Sequence, residues 1–143
     1  MTVRSILSGK GEDVFTLTTD QSLLEASQQL AKYKIGALVV SNDQRDILGI
    51  LSERDIVRRV ASGGPDTLSN TVGGCMTKEV QTCTEDTTVT ELMSLMTKGR
   101  FRHMPVERDG KLIGIISIGD VVKKRIADVE KEAEQIKEYI SAI

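Results

Sequence analysis

The sequence predicts an α/β chain built from two copies of one β-α-β-β-α unit, packed about a pseudo-twofold axis and followed by an extended C-terminal helix. Three observations predict it. The stretch GILSERD (residues 49–55) returns as GIISIGD (residues 114–120). Upstream, VFTLTTDQSL (14–23) aligns with VQTCTEDTTV (80–89) and IGALVV (35–40) with FRHMPV (101–106), so the elements keep their order in both halves. Beyond Asp120, apolar residues recur at alternating steps of four and three, the spacing of a heptad seam.

Each copy opens with a short strand and continues into a helix. In the first helix Leu23, Leu24, Ser27, Leu30 and Ala31 mark a mostly apolar stripe; in its counterpart Val89, Leu92, Met93 and Met96 do the same. The methionines read as core rather than as a ligand box. Ser22 with Glu25, and Thr88 with Glu91, have capping-box spacing, in which a hydroxyl accepts from an early amide and a carboxylate reaches back. Then come IGALVV and FRHMPV, the turn-rich SNDQRD and ERDG, and the apolar runs ILGIL and LIGII, which read as paired strands with a buried face. The expected divisions are a first repeat over 1–65, a connector over 66–74 where glycine, proline and small polar residues replace periodic hydrophobics, a second repeat over 75–127, and a helical extension over 128–143. Neither copy is large enough to bury a generous core alone, so the two are expected to share one. The final helix places Val122, Ile126, Val129, Ala133, Ile136, Ile140 and Ile143 on one seam that needs cover, either by docking along its own domain or, as expected here because the last turns extend past the repeat, by a second subunit in a homodimer.

Composition removes several functional classes. With 39% apolar and 28% charged residues in 143, the chain is globular, and no run reaches the roughly 18 apolar residues of a membrane span. A net charge of −2 and four aromatic rings (Phe15, Tyr33, Phe101, Tyr139) give no general attraction to nucleic acid and no stacking platform. Cys75 and Cys83 lack the close spacing of zinc ligands and read as reduced structural thiols, so no metal is expected. The N-terminus lacks the apolar segment of a signal peptide, so a cytoplasmic protein is expected. One histidine and no evident carboxylate pair leave no catalytic constellation, and SGKGE (8–12) lacks the phosphate-loop pattern.

The doubled motif carries the functional reading. Ser52 and Asp55, like Ser117 and Asp120, follow an apolar strand and open a helix. A second pair of capping boxes accounts for that spacing on local grounds alone. The position adds more: free amides and the positive end of a helix dipole suit a phosphate, a carboxylate suits ribose hydroxyls, and the motif glycine is expected to let backbone approach a ligand. The doubled set, with RHMPV between, resembles a tandem pair of cystathionine-β-synthase (CBS) domains, a Bateman module, over nearly the whole chain. The resemblance implies a regulatory module that binds adenine nucleotides in two clefts, AMP first, with NAD(H) or ATP as alternatives, and signals by conformational change to a separate effector protein. It implies that Asp55 and Asp120 hold ribose and that Ser52 and Ser117 lie near ribose or phosphate. It sets Ile35, Gly36, Ala37, Met104 and Pro105 along the base, and Arg102 and His103 at phosphate. Arg54, Lys34, Thr16 and Thr82 complete the candidate set. Because Gly36 and Ala37 stand where the second half has Arg102 and His103, the two clefts are expected to differ. A ligand-free dimerisation module is the alternative.

Overall fold

The computed structural model describes residues 1–10 and 14–143; Gly11 and Glu12 of the SGKGE stretch lie outside the described residues. The first half carries α1 (Val3–Lys10), β1 (Thr16–Leu17), α2 (Leu23–Tyr33), β2 (Ala37–Ser41), β3 (Ile47–Ser52) and α3 (Glu53–Gly63). After a 3-10 turn over Pro65–Ser69 come α4 (Val72–Cys75), α5 (Val89–Gly99), β4 (His103–Arg108), β5 (Lys111–Ser117) and α6 (Ile118–Ala142). All four capping boxes form: Ser22 opens α2, Ser52 opens α3, Thr88 opens α5 and Ser117 opens α6, each hydroxyl accepting from the third helical amide.

In the first half β1 runs parallel to β2, and β2 pairs antiparallel with β3. The second half repeats this with β4 against β5, and Cys83 takes the place of β1 as a lone parallel bridge to Val106. Its amide donates to Pro105 O at 3.0 Å, and its carbonyl accepts from Glu107 N at 2.8 Å. The registers set each motif serine against the entrance of the neighbouring strand: Ser52 stands opposite Ala37, and Ser117 opposite His103. Across the halves, Leu112 N donates to Arg45 O at 2.9 Å, and Lys111 pairs with Asp46.

The apolar residues form two clusters rather than the single shared core expected. Each cluster is completed by a helix from the other half. Val3, Ile6 and Leu7 of α1 are buried with Val89, Leu92, Met96, Met104 and Ile116 of the second half. Val72, Cys75 and Met76, in and just after α4, pack with Leu17, Leu23, Leu30, Leu38 and Leu51 of the first. The backbone contacts repeat one for one. Val3 N donates to Thr87 O at 2.9 Å where Val72 N donates to Gln21 O at 2.8 Å; Arg4 N reaches Glu85 O where Gly73 N reaches Thr19 O. Thr2 bridges Thr88 as Thr71 bridges Ser22. The end of the stretch over 66–74, read as a connector, is thus the start of α4, which packs in the first core.

Two finer expectations change. The buried stripe of α2 runs through Leu23, Ala26 and Leu30, so Leu24 and Ala31 fall outside it, and on α5 Met93 is exposed while Met96 is core. The motif glycines also serve a different neighbour from the one expected. A Cβ at Gly49 would lie 2.6 Å from Met76 Sδ and 2.8 Å from the Thr77 carbonyl, and one at Gly114 would lie 2.7 Å from Leu7 Cδ2. These glycines admit the crossing segments, not a ligand. Both cysteines are free thiols, and burial, with Glu107 nearby, pushes the Cys83 thiol up to about 12, so it stays protonated.

Candidate functional site

The strand-to-helix junction over Ser52 and Glu53 sets the first part of the site. Glu53 N donates to Gly36 O at 2.9 Å, which holds the start of α3 against the entrance to β2; Ile118 N donates to Arg102 O at 2.8 Å in the same way on the other side. At the first junction Ser52 donates its backbone N–H and its hydroxyl to Asp55 Oδ2, at 2.9 and 3.0 Å. Among the described residues no hydrogen bond or ion pair reaches Asp55 Oδ1, which leaves one acceptor oxygen for an outside hydroxyl.

This junction lines a cleft of about 940 Å³ shared by both halves. Of the candidate residues, Gly36, Ala37, Ser52, Arg54 and Asp55 reach it from the first half, and Thr82, Arg102, His103 and Pro105 from the second. Expectation had divided these residues between two clefts; the structure brings them into one. The halves meet closely there: a Cβ at Gly36 would lie 3.5 Å from His103 Cε1 and 3.5 Å from the Glu53 carboxylate. Sequence reasoning left out Arg58, Arg100 and Phe101, which also line the cleft. Arg54 and Arg58 stand four apart and so share one face of α3, a signal the sequence held. Arg100 carried no periodic signal, because it sits in the left-handed C-cap of α5. Arg54, Arg58, Arg100 and Arg102 have no carboxylate partner among the described residues. With Glu53, Asp55 and Glu79 also on the wall, the cleft offers acceptors at the junction and free guanidinium groups around it.

His103 belongs to this wall but not as a cation. Burial lowers its pKa below the ordinary imidazole value, Lys10 and Arg102 lower it further, and Asp120 and Glu53 oppose them. The imidazole is therefore neutral at pH 7.

The remaining candidates lie elsewhere. Ser117 and Asp120 form the equivalent junction of the second half, where Asp120 Oδ2 accepts from Ser117 N at 2.9 Å and from Lys10 Nζ at 2.6 Å. Lys10 also donates to Ile115 O at 2.8 Å. Burial works to raise the Asp120 pKa, but the Lys10 and Ser117 contacts outweigh it and hold the carboxyl below its ordinary value. Lys34, in the left-handed C-cap of α2, and Ile35 line a separate groove between α2 and α3. The Met104 side chain is core, and Thr16 is paired to Val39, with its carbonyl accepting from Gln29. Among the described residues no group of three or more His, Cys, Asp or Glu could hold a metal ion, and no helix is long and apolar enough to cross a membrane.

The comparisons agree with this architecture. The family model of the CBS domain matches residues 3–62 and 72–127. The mitochondrial CBS domain-containing protein CBSX3 of Arabidopsis thaliana is 35% identical over 97% of this chain and 71% of its own length. The crystal structure of the CBS-domain containing protein ATU1752 from Agrobacterium tumefaciens is 49% identical, with a TM-score of 0.83 over 87% of this chain and 99% of that one. The CBS domain pair of protein MJ0100, solved with 5-methylthioadenosine and S-adenosyl-L-methionine, is 26% identical, with a TM-score of 0.76 over 86% of this chain and 98% of that one. The chain belongs to the CBS domain family and carries a tandem pair of its domains.

Proposed function

We propose that this CBS pair is a non-catalytic regulatory module that binds an adenine nucleotide in the composite cleft and passes the binding event to a separate effector protein. The observation that carries the reading is the cleft's chemistry: at a helix start, a carboxylate with an oxygen that has no partner among the described residues, a wall of Gly36, Ala37 and Pro105, and four guanidinium groups with no carboxylate partner among those residues. A vicinal diol fits the Asp55 carboxylate, a flat base fits the small-residue wall, and phosphate fits the arginines. The MJ0100 pair, with its two adenosine compounds, supports the adenosine part. AMP is the first choice, with NAD(H) or ATP behind it. A homodimer built on α6 is part of the reading, and the free thiols suit the reducing cytoplasm as its compartment. Signalling requires that ligand favour one arrangement of the subunits, since equal affinity for both shifts nothing.

The test is calorimetry and thermal shift with AMP, ATP, NAD(H) and adenosine. Binding is expected to raise stability by about 2.7 kcal/mol at a hundredfold excess over the dissociation constant. Asp55→Ala is expected to abolish binding in the composite cleft, and Arg102→Ala to weaken the phosphorylated ligands far more than adenosine. No shift with any of them at millimolar concentration would sink the reading and leave a ligand-free dimerisation module, which the exposed seam of α6 favours.

A further inference from the structure

The last helix has two faces with different owners. Val121 is buried against the second half, and Lys124 and Asp128 beside it are half-buried and paired with each other. The seam of Val122, Ile126 and Val129 lies roughly a third of a turn away, at about 100° per residue, and these residues are 48%, 53% and 53% exposed. The chain's own domain cannot cover both faces at once. Farther on, every residue from 131 to 143 is exposed, including Ile136 and Ile140. So long an apolar stripe needs an occupant.

The flanking charges identify it. With Val122, Val129, Ile136 and Ile143 at d, and Ile126, Ala133 and Ile140 at a, the g positions are Arg125, Glu132 and the uncharged Tyr139, and the e positions are Lys123, Glu130 and Lys137. In a parallel, in-register pair each g residue faces the e residue five places on in the partner. Arg125 then meets the partner's Glu130, and Glu132 meets the partner's Lys137. Both contacts are attractive, and the twofold doubles them. A full-length antiparallel pair instead brings Glu130 to the partner's Glu130, Glu132 to the partner's Glu132 and Lys123 to the partner's Lys137, all like charges.

We infer that the α6 seam pairs with the same seam of a second copy of this chain as a parallel, in-register two-stranded coiled coil. The arrangement sets both nucleotide-binding pairs at the same end of the coil. It rests on the two-subunit part of the proposed function, not on its ligand.

Two experiments on the full chain test it. In a Cys75→Ser background, Ile140→Cys sets two thiols at facing a positions, so mild oxidation is expected to give a covalent dimer that reductant reverses. Separately, Arg125→Glu and Glu130→Arg each set like charges face to face in the parallel pair, and each is expected to weaken self-association by about tenfold. Mixing the two variants restores opposite charges across the seam, so the mixture is expected to associate as wild type. A wild-type monomer at tens of micromolar would overturn both the orientation and the two-subunit reading. A dimer with no Ile140→Cys cross-link, or with no response to either charge variant, would overturn the orientation alone and leave nucleotide binding untouched.

Discussion

Asp55 and Asp120 occupy the same place in the two repeats and have different company. Both reach back to the N–H of the serine that caps their helix, at 2.9 Å in each case. Asp55 has no cationic partner among the described residues, whereas Asp120 is held by Lys10 from the end of α1. An identical local motif is thus open on one side and engaged on the other. The difference comes from a residue more than a hundred positions away in the chain, and no reading of the seven-residue motif by itself contains it. On the proposed reading, a ligand diol would approach Asp55 directly, while at Asp120 it would compete with the Lys10 ammonium.

The largest effects should come from breaking the crossing that makes the halves comparable. Val3→Asp and Val72→Asp each put an unpaired charge into a fully buried seat and should cost about 3–5 kcal/mol. Hydrogen exchange should show each injury in the opposite half: α5, β4 and β5 for Val3, and α2, β2 and β3 for Val72. Loss confined to the half that carries the substitution would contradict the crossing.

The motif glycines sharpen the comparison next. Gly49→Ala and Gly114→Ala both overpack, at a cost of about 1–3 kcal/mol. Gly49→Ala should be the costlier in thermal melts, because a backbone carbonyl stands in its way, while at Gly114 the obstacle is the end of the Leu7 side chain, which can turn aside. Equal costs would mean that the two crossings yield alike.

Smaller still are the caps. Asp55→Ala and Asp120→Ala should each lose about 0.5–2 kcal/mol as helix starts. Asp120→Ala should also remove a pH dependence. Its carboxyl is depressed when folded, so its contribution is present above the ordinary carboxylate range and fades as pH falls through the lower folded value. Acid titration of stability should therefore be shallower in Asp120→Ala than in the wild type.

The least effect belongs to His103. Its pKa is lowered, so the unfolded chain takes up the proton first, and the ligand-free protein should lose a little stability as pH drops below about 6.5. Binding of AMP should run the other way, flat above that pH and tightening a few-fold below it as imidazolium meets phosphate. His103→Gln should flatten both curves.

Much of this was legible because it is periodic or local. The repeat, the four capping boxes and the apolar strands rest on spacing, and spacing survives folding. Helix α1 escaped because VRSILSGK offers only three buried residues, but its key was present: Thr2-Val3 matches Thr71-Val72, in front of both repeats. The composite cleft could not be read from either half, since what joins Asp55 to Arg102 and His103 is the packing of one repeat on the other. The role of Gly49 and Gly114 was hidden likewise, because Met76 and Leu7 approach them only in three dimensions.

The exchange of α1 and α4 also orders events during synthesis. Val3, Ile6 and Leu7 are made well before Met104, Ile116 and Val121, which complete their seat. The first half can gather around α4 while translation continues, but α1 must stay uncovered until β5 and the start of α6 have emerged. Closing that contact joins α1 to β4, β5 and α6 across a long loop, a slow step in folding. A nascent chain stalled before β5 would leave the three aliphatic side chains of α1 bare, a natural foothold for a chaperone.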